Sequence, residues 1–193
     1  MQQFINDIIN WLEDLVNSCP YALSIICGMG VIVLESIIPM LPLGLFIALN
    51  MLLFGNITGF IISWVATSLG CLLSFMLVRK FLFKVKETKE NKTIKNIIKK
   101  INKISLSKFV VITALPFTPA FAINIASGIS KMNIKKFMVG ILISKIFVVY
   151  FWGFIGTTFL ESITDFYVII KLAVMLAIAY ILSKLVMKKF NLE

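Results

Sequence analysis

The stretch LESIIPMLP, residues 34–42, places one carboxylate, that of Glu35, and two prolines inside a long apolar run. The run covers residues 20–54, and as one straight helix its 35 residues would measure about 52 Å, against a hydrocarbon layer of about 30 Å. Because a charge at membrane depth is costly and each proline removes a backbone donor, a single helix is excluded. Broken backbone at that depth needs cover from protein or a wet cavity, which favours a helix over 20–34 followed by a re-entrant hairpin near 35–54. The alternative is two short helices joined by an outer loop, with Glu35 in water.

Composition indicates the class of protein. Hydrophobic residues make up 60% of the 193 residues and the mean hydropathy is +0.99, whereas soluble domains are nearer half apolar. We therefore predict a one-domain, all-α integral membrane protein. The chain has no histidine, the usual general base and commonest metal ligand, and Cys19, Cys27 and Cys71 lack metal-site or disulfide spacing. With no nucleophile–base pair and no phosphate-binding glycine loop, we expect neither an enzyme nor a cofactor or metal.

The first half contains two further recognisable segments. Residues 1–19 have apolar positions at helical spacing, typical of an amphipathic helix that lies either on the membrane interface or on the protein itself. Residues 55–78 form an uninterrupted span with small residues three and four apart, which predicts close helix packing. A homodimer interface on this span is the weaker alternative.

One long hydrophilic segment, residues 79–108, carries eleven Lys or Arg against two Glu. The positive-inside rule places it in the cytoplasm. It either binds anionic lipid headgroups or is a solvated segment that only sets the topology, and nucleic-acid binding is not expected beside a membrane span. Arg79, Lys80 and Lys131 are the residues predicted to attract headgroups from the inner leaflet.

The second half repeats the plan of the first. Residues 109–130 are apolar but broken by prolines, and basic residues flank both ends, which predicts a second re-entrant hairpin from the inside face. A span over 137–159 follows, and a last span over 167–187 lies in the C-terminal segment 161–193, whose end is cytoplasmic. Two units of hairpin plus span in opposite orientation form an inverted repeat, which we assign to a membrane domain over 20–160.

Glu35 and Lys145 are the ionisable residues predicted at membrane depth, and the inverted repeat should bring them together. Two buried charges are tolerable when they pair or share a wet cavity. On the functional interpretation Lys145 holds a lipid phosphate, while Glu35 exchanges a proton or competes for the lysine; the alternative is a structural ion pair. Asn124 could bond freed backbone groups, the interpretation we favour, or a headgroup. The prolines expected to shape a midplane cavity are Pro39, Pro42, Pro116 and Pro119.

Motifs in both halves resemble those of one family. They are the stretch 34–42, Asn50, Phe54-Gly55, Gly59-Phe60, Gly70, Phe75, Arg79-Lys80, PFTPAF (116–121), NIASGISK (124–131) and Lys145. On these residues the chain resembles, over residues 30–160, the DedA superfamily, also called VTT-domain or SNARE-associated Golgi proteins. Within it the chain looks most like the bacterial branch related to the yeast Tvp-type proteins. It differs from DedA proper at Leu43-Gly44-Leu45, where an acidic residue often follows the second proline, and at Ala114-Leu115, where many members have an arginine.

The resemblance implies two opposed re-entrant hairpins and movement of lipid between leaflets, as in flippases or scramblases of phospholipid or undecaprenyl phosphate. Protons or sodium are the coupling ions to consider, and a bacterial plasma membrane is the expected location. Three functions stay open: a lipid translocase, a small-solute or ion transporter of the same plan, and a non-transporting scaffold. A groove open to lipid favours the first, a closed polar cavity the second, and a hairpin region without a cavity the third.

Overall fold

The structure, a computed structural model, describes residues 20–38, 42–81, 101–130, 132–161 and 165–189, together with Asp7, Asp14 and Ser18. Regular structure in these ranges is helical throughout, so the chain is all-α, as the composition predicts. The predicted N-terminal helix over 1–19 and most of the basic segment 79–108 lie outside the described residues. The helices of the five ranges are α1 (Tyr21–Ile37), α2 (Leu43–Phe54), α3 (Asn56–Phe81), α4 (Leu106–Ala114), α5 (Ala120–Ile129), α6 (Ile134–Glu161) and α7 (Phe166–Lys189).

The first broken hairpin has α1 and α2 as its arms. The helix α1 does not stop near Leu34 but continues to Ile37, so the hairpin begins upstream of the expected range 35–54 and Glu35 lies in the last turn of α1. Its second arm starts directly after Pro42, whose ring cannot extend a helix backwards. With 17 and 12 residues, the arms measure about 26 and 18 Å, each shorter than the hydrocarbon layer.

The second broken hairpin has α4 and α5 as its arms, of 9 and 10 residues. The turn between them covers residues 115–119 and is closed by the Thr118 amide, which donates to the Leu115 carbonyl over 3.2 Å. Pro119 precedes α5 as Pro42 precedes α2, so both second arms begin after the second proline of a Pro-x-x-Pro motif. Re-entry of these hairpins into a membrane stays a prediction.

The remaining helices are long. Three of the described helices, α3, α6 and α7, are long and apolar enough to cross a membrane, over Asn56–Lys80, Ile134–Phe159 and Phe166–Lys189. The chain is therefore a membrane protein with long helices close to the predicted spans. Gly55 alone separates α2 from α3, with a φ of 81° in the left-handed region that glycine adopts without a steric cost.

The two units of hairpin plus long helix pack reciprocally. The first arms stay with their own unit, since α1 packs along α3 and α4 packs along α6. The second arms reach across, since α2 packs against α6 as well as against its own α3, and α5 packs against α3. This exchange interlocks the units, so that neither hairpin is held by its own long helix alone. The opposite membrane orientation of the two units stays a prediction.

The core consists of two apolar clusters, and both include α3 and α6. One contains Ala66 of α3 and Val149 of α6, and the other contains Phe75 of α3 stacked on Phe137 of α6, with ring centroids 4.2 Å apart. Lys145 lies on α6 between Phe137, which belongs to one cluster, and Val149, which belongs to the other. The space between the clusters is therefore where the hairpin tips and a buried charge meet.

Close packing of α2 on α3 depends on Gly59. A Cβ added there would overlap the backbone of Asn50 and Met51, whereas a Cβ at Gly30 of α1 would meet nothing within 4 Å. We predict that Gly59→Ala lowers stability by about 1–3 kcal/mol because α2 must shift. Gly30→Ala, the matched control, should be neutral or stabilising by up to about 1 kcal/mol through helix propensity. Thermal unfolding of the purified protein in detergent measures both, and equal melting temperatures would contradict the packing described.

Candidate functional site

A central cavity of about 670 Å³ lies where the two hairpin tips meet α6. Its walls come from both halves: the end of α1, the start of α2, the turn 115–119 with α5, and one face of α6. Most of the lining is apolar. The charged or hydrogen-bonding side chains that line it, cysteine aside, are Glu35, Ser36, Thr113, Thr118, Asn124, Lys145 and Trp152.

Glu35 and Lys145 face the same cavity. Lys145 is only 3% exposed, at the middle of α6, and Glu35 is half-buried at the end of α1. Their charges interact electrostatically across the cavity, although no direct ion pair joins them. Within the part of the chain that the structure describes, the Lys145 ammonium makes no hydrogen bond. The structure thus brings together the acid and the amine that the sequence places at membrane depth, and it leaves a gap between them.

The prolines of the hairpins border this gap. Pro42, Pro116 and Pro119 all line the cavity, while Pro39 lies outside the described residues. Their rings end the helices at the cavity wall, which leaves room where a continuous helix would run.

The neutral polar residues of the cavity fall into two groups. The hydroxyls of Ser36 and Thr113 are used within their own helices, where they donate to the carbonyls of Ile32 and Phe109 over 3.2 and 2.8 Å. The amide of Asn124 and the hydroxyl of Thr118 are buried, and neither has a partner among the described residues.

Asn124 is 1% exposed and both polar atoms of its side chain are left unbonded. The repair of freed backbone groups, which we favoured from the sequence, is therefore not what the described part of the chain shows. An unpaired buried amide costs free energy, and a polar ligand in the cavity would recover it.

The three basic residues predicted to attract headgroups have different surroundings. Arg79 lies at the end of α3, and its guanidinium donates to the carbonyls of Gly128, Ser130 and Met132 over 3.3, 3.0 and 2.7 Å. It also stacks on the Phe75 ring, 4.3 Å from the centroid. Its hydrogen bonds are thus made to the end of α5 and the link to α6, and its attraction of headgroups stays a prediction.

The other two residues predicted to attract headgroups are Lys80 and Lys131. Lys80 is exposed on the last turn of α3, and Lys131 lies outside the described residues. No group of His, Cys, Asp and Glu suited to a metal ion occurs in the described ranges.

Sequence reasoning missed several residues of the cavity wall. Thr118 lies between the two prolines of the second Pro-x-x-Pro motif, and the sequence predicts a role for the prolines only. Along α6 the signal was present: the lining residues Lys145, Val148, Trp152, Ile155 and Phe159 follow one another at three- and four-residue steps. Residues at that spacing lie on one face of a helix. The sequence alone therefore predicts that these residues share a helix face with Lys145.

The fold and this site define an all-α membrane protein in which two broken hairpins enclose a cavity bearing one acid and one amine. A VTT-domain family model matches residues 41–158, more than half of the chain. The match includes Pro42, the second proline of the first motif, and the whole of the second motif, residues 116–119. The chain belongs to the VTT-domain family, the DedA superfamily of the sequence resemblance.

A curated relative extends the comparison. The chain is 26% identical over 125 residues to the "Uncharacterized membrane protein YhjE" of Bacillus subtilis (strain 168). The alignment covers 64% of this chain and 60% of the relative, so the chain spans less than two thirds of that protein's length. No solved structure matches the chain.

We predict that Arg79→Lys destabilises the protein by about 1–3 kcal/mol, because a lysine cannot reach three diverging carbonyls as a guanidinium does. The substitution keeps the positive charge, so the positive-inside signal is unaltered. Thermal unfolding in detergent provides the measurement. An unchanged melting temperature would show that the carbonyl contacts do not hold α5 to α3.

A second prediction concerns the acid and the amine. Glu35→Gln leaves Lys145 without a countercharge and Lys145→Met leaves Glu35 without one, whereas the double variant leaves neither charge. The double variant should therefore differ from the sum of the single effects by about 0.5–3 kcal/mol, in the stabilising direction. Unfolding of the four proteins under identical conditions gives the coupling free energy, and simple additivity would exclude an interaction.

Proposed function

We propose that this protein moves a lipid with a phosphate headgroup between membrane leaflets, with the central cavity as the headgroup site. The observation that carries the proposal is a pair of buried polar side chains, Thr118 and Asn124, that have no hydrogen-bond partner in the described ranges and lie with the buried Lys145 in a mostly apolar cavity. An ammonium, a hydroxyl and an amide are all hydrogen-bond donors, and a phosphate oxygen accepts from each of them.

The size of the cavity suits a headgroup, and its apolar edge favours a lipid over a free small solute. Its 670 Å³ falls in the range of about 300–1,000 Å³ typical of small-ligand sites, enough for a headgroup but not for long acyl chains as well. Two apolar lining residues, Leu45 and Phe159, are 46% and 43% exposed, so the cavity is not closed off on that side. Acyl chains could therefore leave the cavity through an apolar opening into the surrounding membrane.

The two charges suggest how a headgroup is bound and released. Lys145 would pair with the phosphate when the cavity is loaded, and the nearby charge of Glu35 would stabilise the ammonium when it is empty. Because no direct ion pair joins them, an anion can enter between them without first breaking one. Protonation of Glu35, or sodium bound to it, would change the competition for the lysine and link lipid movement to an ion gradient.

Membership of the VTT-domain family agrees with the lipid movement that the sequence resemblance implies. The printed name of the Bacillus relative says only that it is a membrane protein, so it adds the location and no substrate.

Reconstitution tests the proposal. The protein is inserted into vesicles that contain a fluorescent phospholipid or a fluorescent polyprenyl phosphate, and the label reaching the opposite leaflet is followed by chemical quenching. Wild type should accelerate the exchange, and Glu35→Gln should reduce it to the rate of empty vesicles because the acid can no longer exchange a proton. The matched control is Asp165→Asn, an exposed carboxylate whose capping bond to the Tyr167 amide an asparagine can also make.

The outcomes separate the candidate functions. If the Glu35→Gln variant moves lipid at the wild-type rate, Glu35 has no role in the transport. Wild-type protein that leaves both lipids in place but carries a small anion across the same vesicles would replace the lipid translocase by a solute transporter.

A further inference from the structure

Phe117 stands between the central cavity and a second, smaller space. It lies in the turn of the second hairpin, between Pro116 and Thr118, which both line the central cavity. Its ring packs edge-on against Trp152 of α6 on one side and against Tyr180 of α7 on the other, with centroids 5.7 Å apart in each case. Trp152 lines the central cavity, and Tyr180 lines the second space.

This second space, the side pocket, has a volume of about 170 Å³. It lies between the second hairpin and the C-terminal part of α7. The residues that line it are Phe117, Tyr180, Ser183, Lys184 and Met187.

Ser183 is the unusual member of the side pocket. It is 1% exposed, and its hydroxyl has no hydrogen-bond partner in the described part of the chain. A hydroxyl on a helix can donate to a carbonyl of its own preceding turn, as Thr113 and Thr157 do here. The Ser183 hydroxyl is therefore a buried, unused donor in the wall of the pocket, and the neighbouring Lys184 adds a positive charge.

We propose that the side pocket binds the phosphate of a lipid headgroup from the leaflet at the C-terminal end of α7, and that Phe117 is the gate between it and the central cavity. A hydroxyl and an ammonium together form a donor set for a phosphate oxygen. The volume suits a headgroup phosphate without its chains, and the exposed Tyr180 and Lys184 leave the pocket open at its edge. The passage from this pocket to Lys145 rests on the function proposed above, whereas binding in the pocket does not.

Binding is tested with the purified full chain in detergent, titrated in a calorimeter with dihexanoyl phosphatidic acid and, separately, with inorganic phosphate. Lys184→Gln should weaken one class of lipid binding about tenfold, the effect of one charge-assisted hydrogen bond, and Ser183→Ala should weaken the same class less. Lys188→Gln, a matched control one turn along α7 and outside the pocket, should bind as wild type.

Each result decides a different point. Equal affinities in Lys184→Gln and Lys188→Gln would overturn the side pocket. If Lys184→Gln loses one class of lipid binding and Lys145→Gln loses none, the side pocket is supported. The same result would count against the central cavity as a headgroup site. Inorganic phosphate that binds as tightly as the lipid would identify a soluble anion as the ligand and overturn the lipid assignment.

The gate is tested through Cys71, a buried thiol that lines the central cavity. With Cys19 and Cys27 replaced by serine, Cys71 is the remaining thiol and reports access to the cavity by an anionic methanethiosulfonate. Phe117→Ala should speed its modification about tenfold, because two aromatic contacts that hold the gate closed are lost. Adding Lys184→Gln should slow that reaction, since the side pocket then offers the anion no positive charge.

Two variants control for loosened packing. Phe151→Ala removes another ring that packs against Trp152 and should leave the rate unchanged. Phe117→Tyr keeps the ring and should also react as wild type. The gate would be overturned if Phe151→Ala speeds the modification as much as Phe117→Ala does. It would also be overturned if adding Lys184→Gln to Phe117→Ala leaves the rate unchanged.

Discussion

The burial of the Lys145 charge at the middle of α6 is the constraint on which the rest of the site depends. An ammonium that is 3% exposed inside a membrane protein is costly unless an opposite charge or polar groups lie nearby. Glu35, in the last turn of α1, meets that need because it lines the same cavity. A helix that continued past Ile37 would place side chains where the hairpin turn now leaves room. The end of α1 and the buried lysine therefore contribute to one polar site.

The same constraint explains why the clusters on α3 and α6 lie apart. The apolar groups around Val149 and around Phe137 hold the two long helices together on either side of Lys145 along α6. Between them the hairpin tips supply proline rings and free polar groups in place of close packing. Stability is thus concentrated away from the cavity, which lets the cavity keep unpaired polar groups that a uniformly packed core would exclude.

Much of this arrangement could be predicted from the sequence, because its causes are local. Prolines inside apolar runs predict where helices break, and the spacing of charges predicts which runs are long spans. The end of α1 was placed too early, since nothing in Ser36-Ile37 prevents another turn of helix. The carbonyl bonds of Arg79 and the unpaired amide of Asn124 depend on distant segments, which meet only through the reciprocal packing of the two units. Such partners are set by tertiary structure and leave no periodic signal.

The two units share a layout but contribute different chemistry. The first hairpin brings the acid, Glu35, whereas the second hairpin brings neutral donors, Thr118 and Asn124, and the second long helix brings the amine. No single unit therefore contains the donor set and its countercharge. A polar site exists only while both hairpins meet α6, so a motion that separates the hairpins would also dismantle the site. The donors would then remain together on the second unit, while Lys145 would lose the opposite charge that Glu35 places in the same cavity.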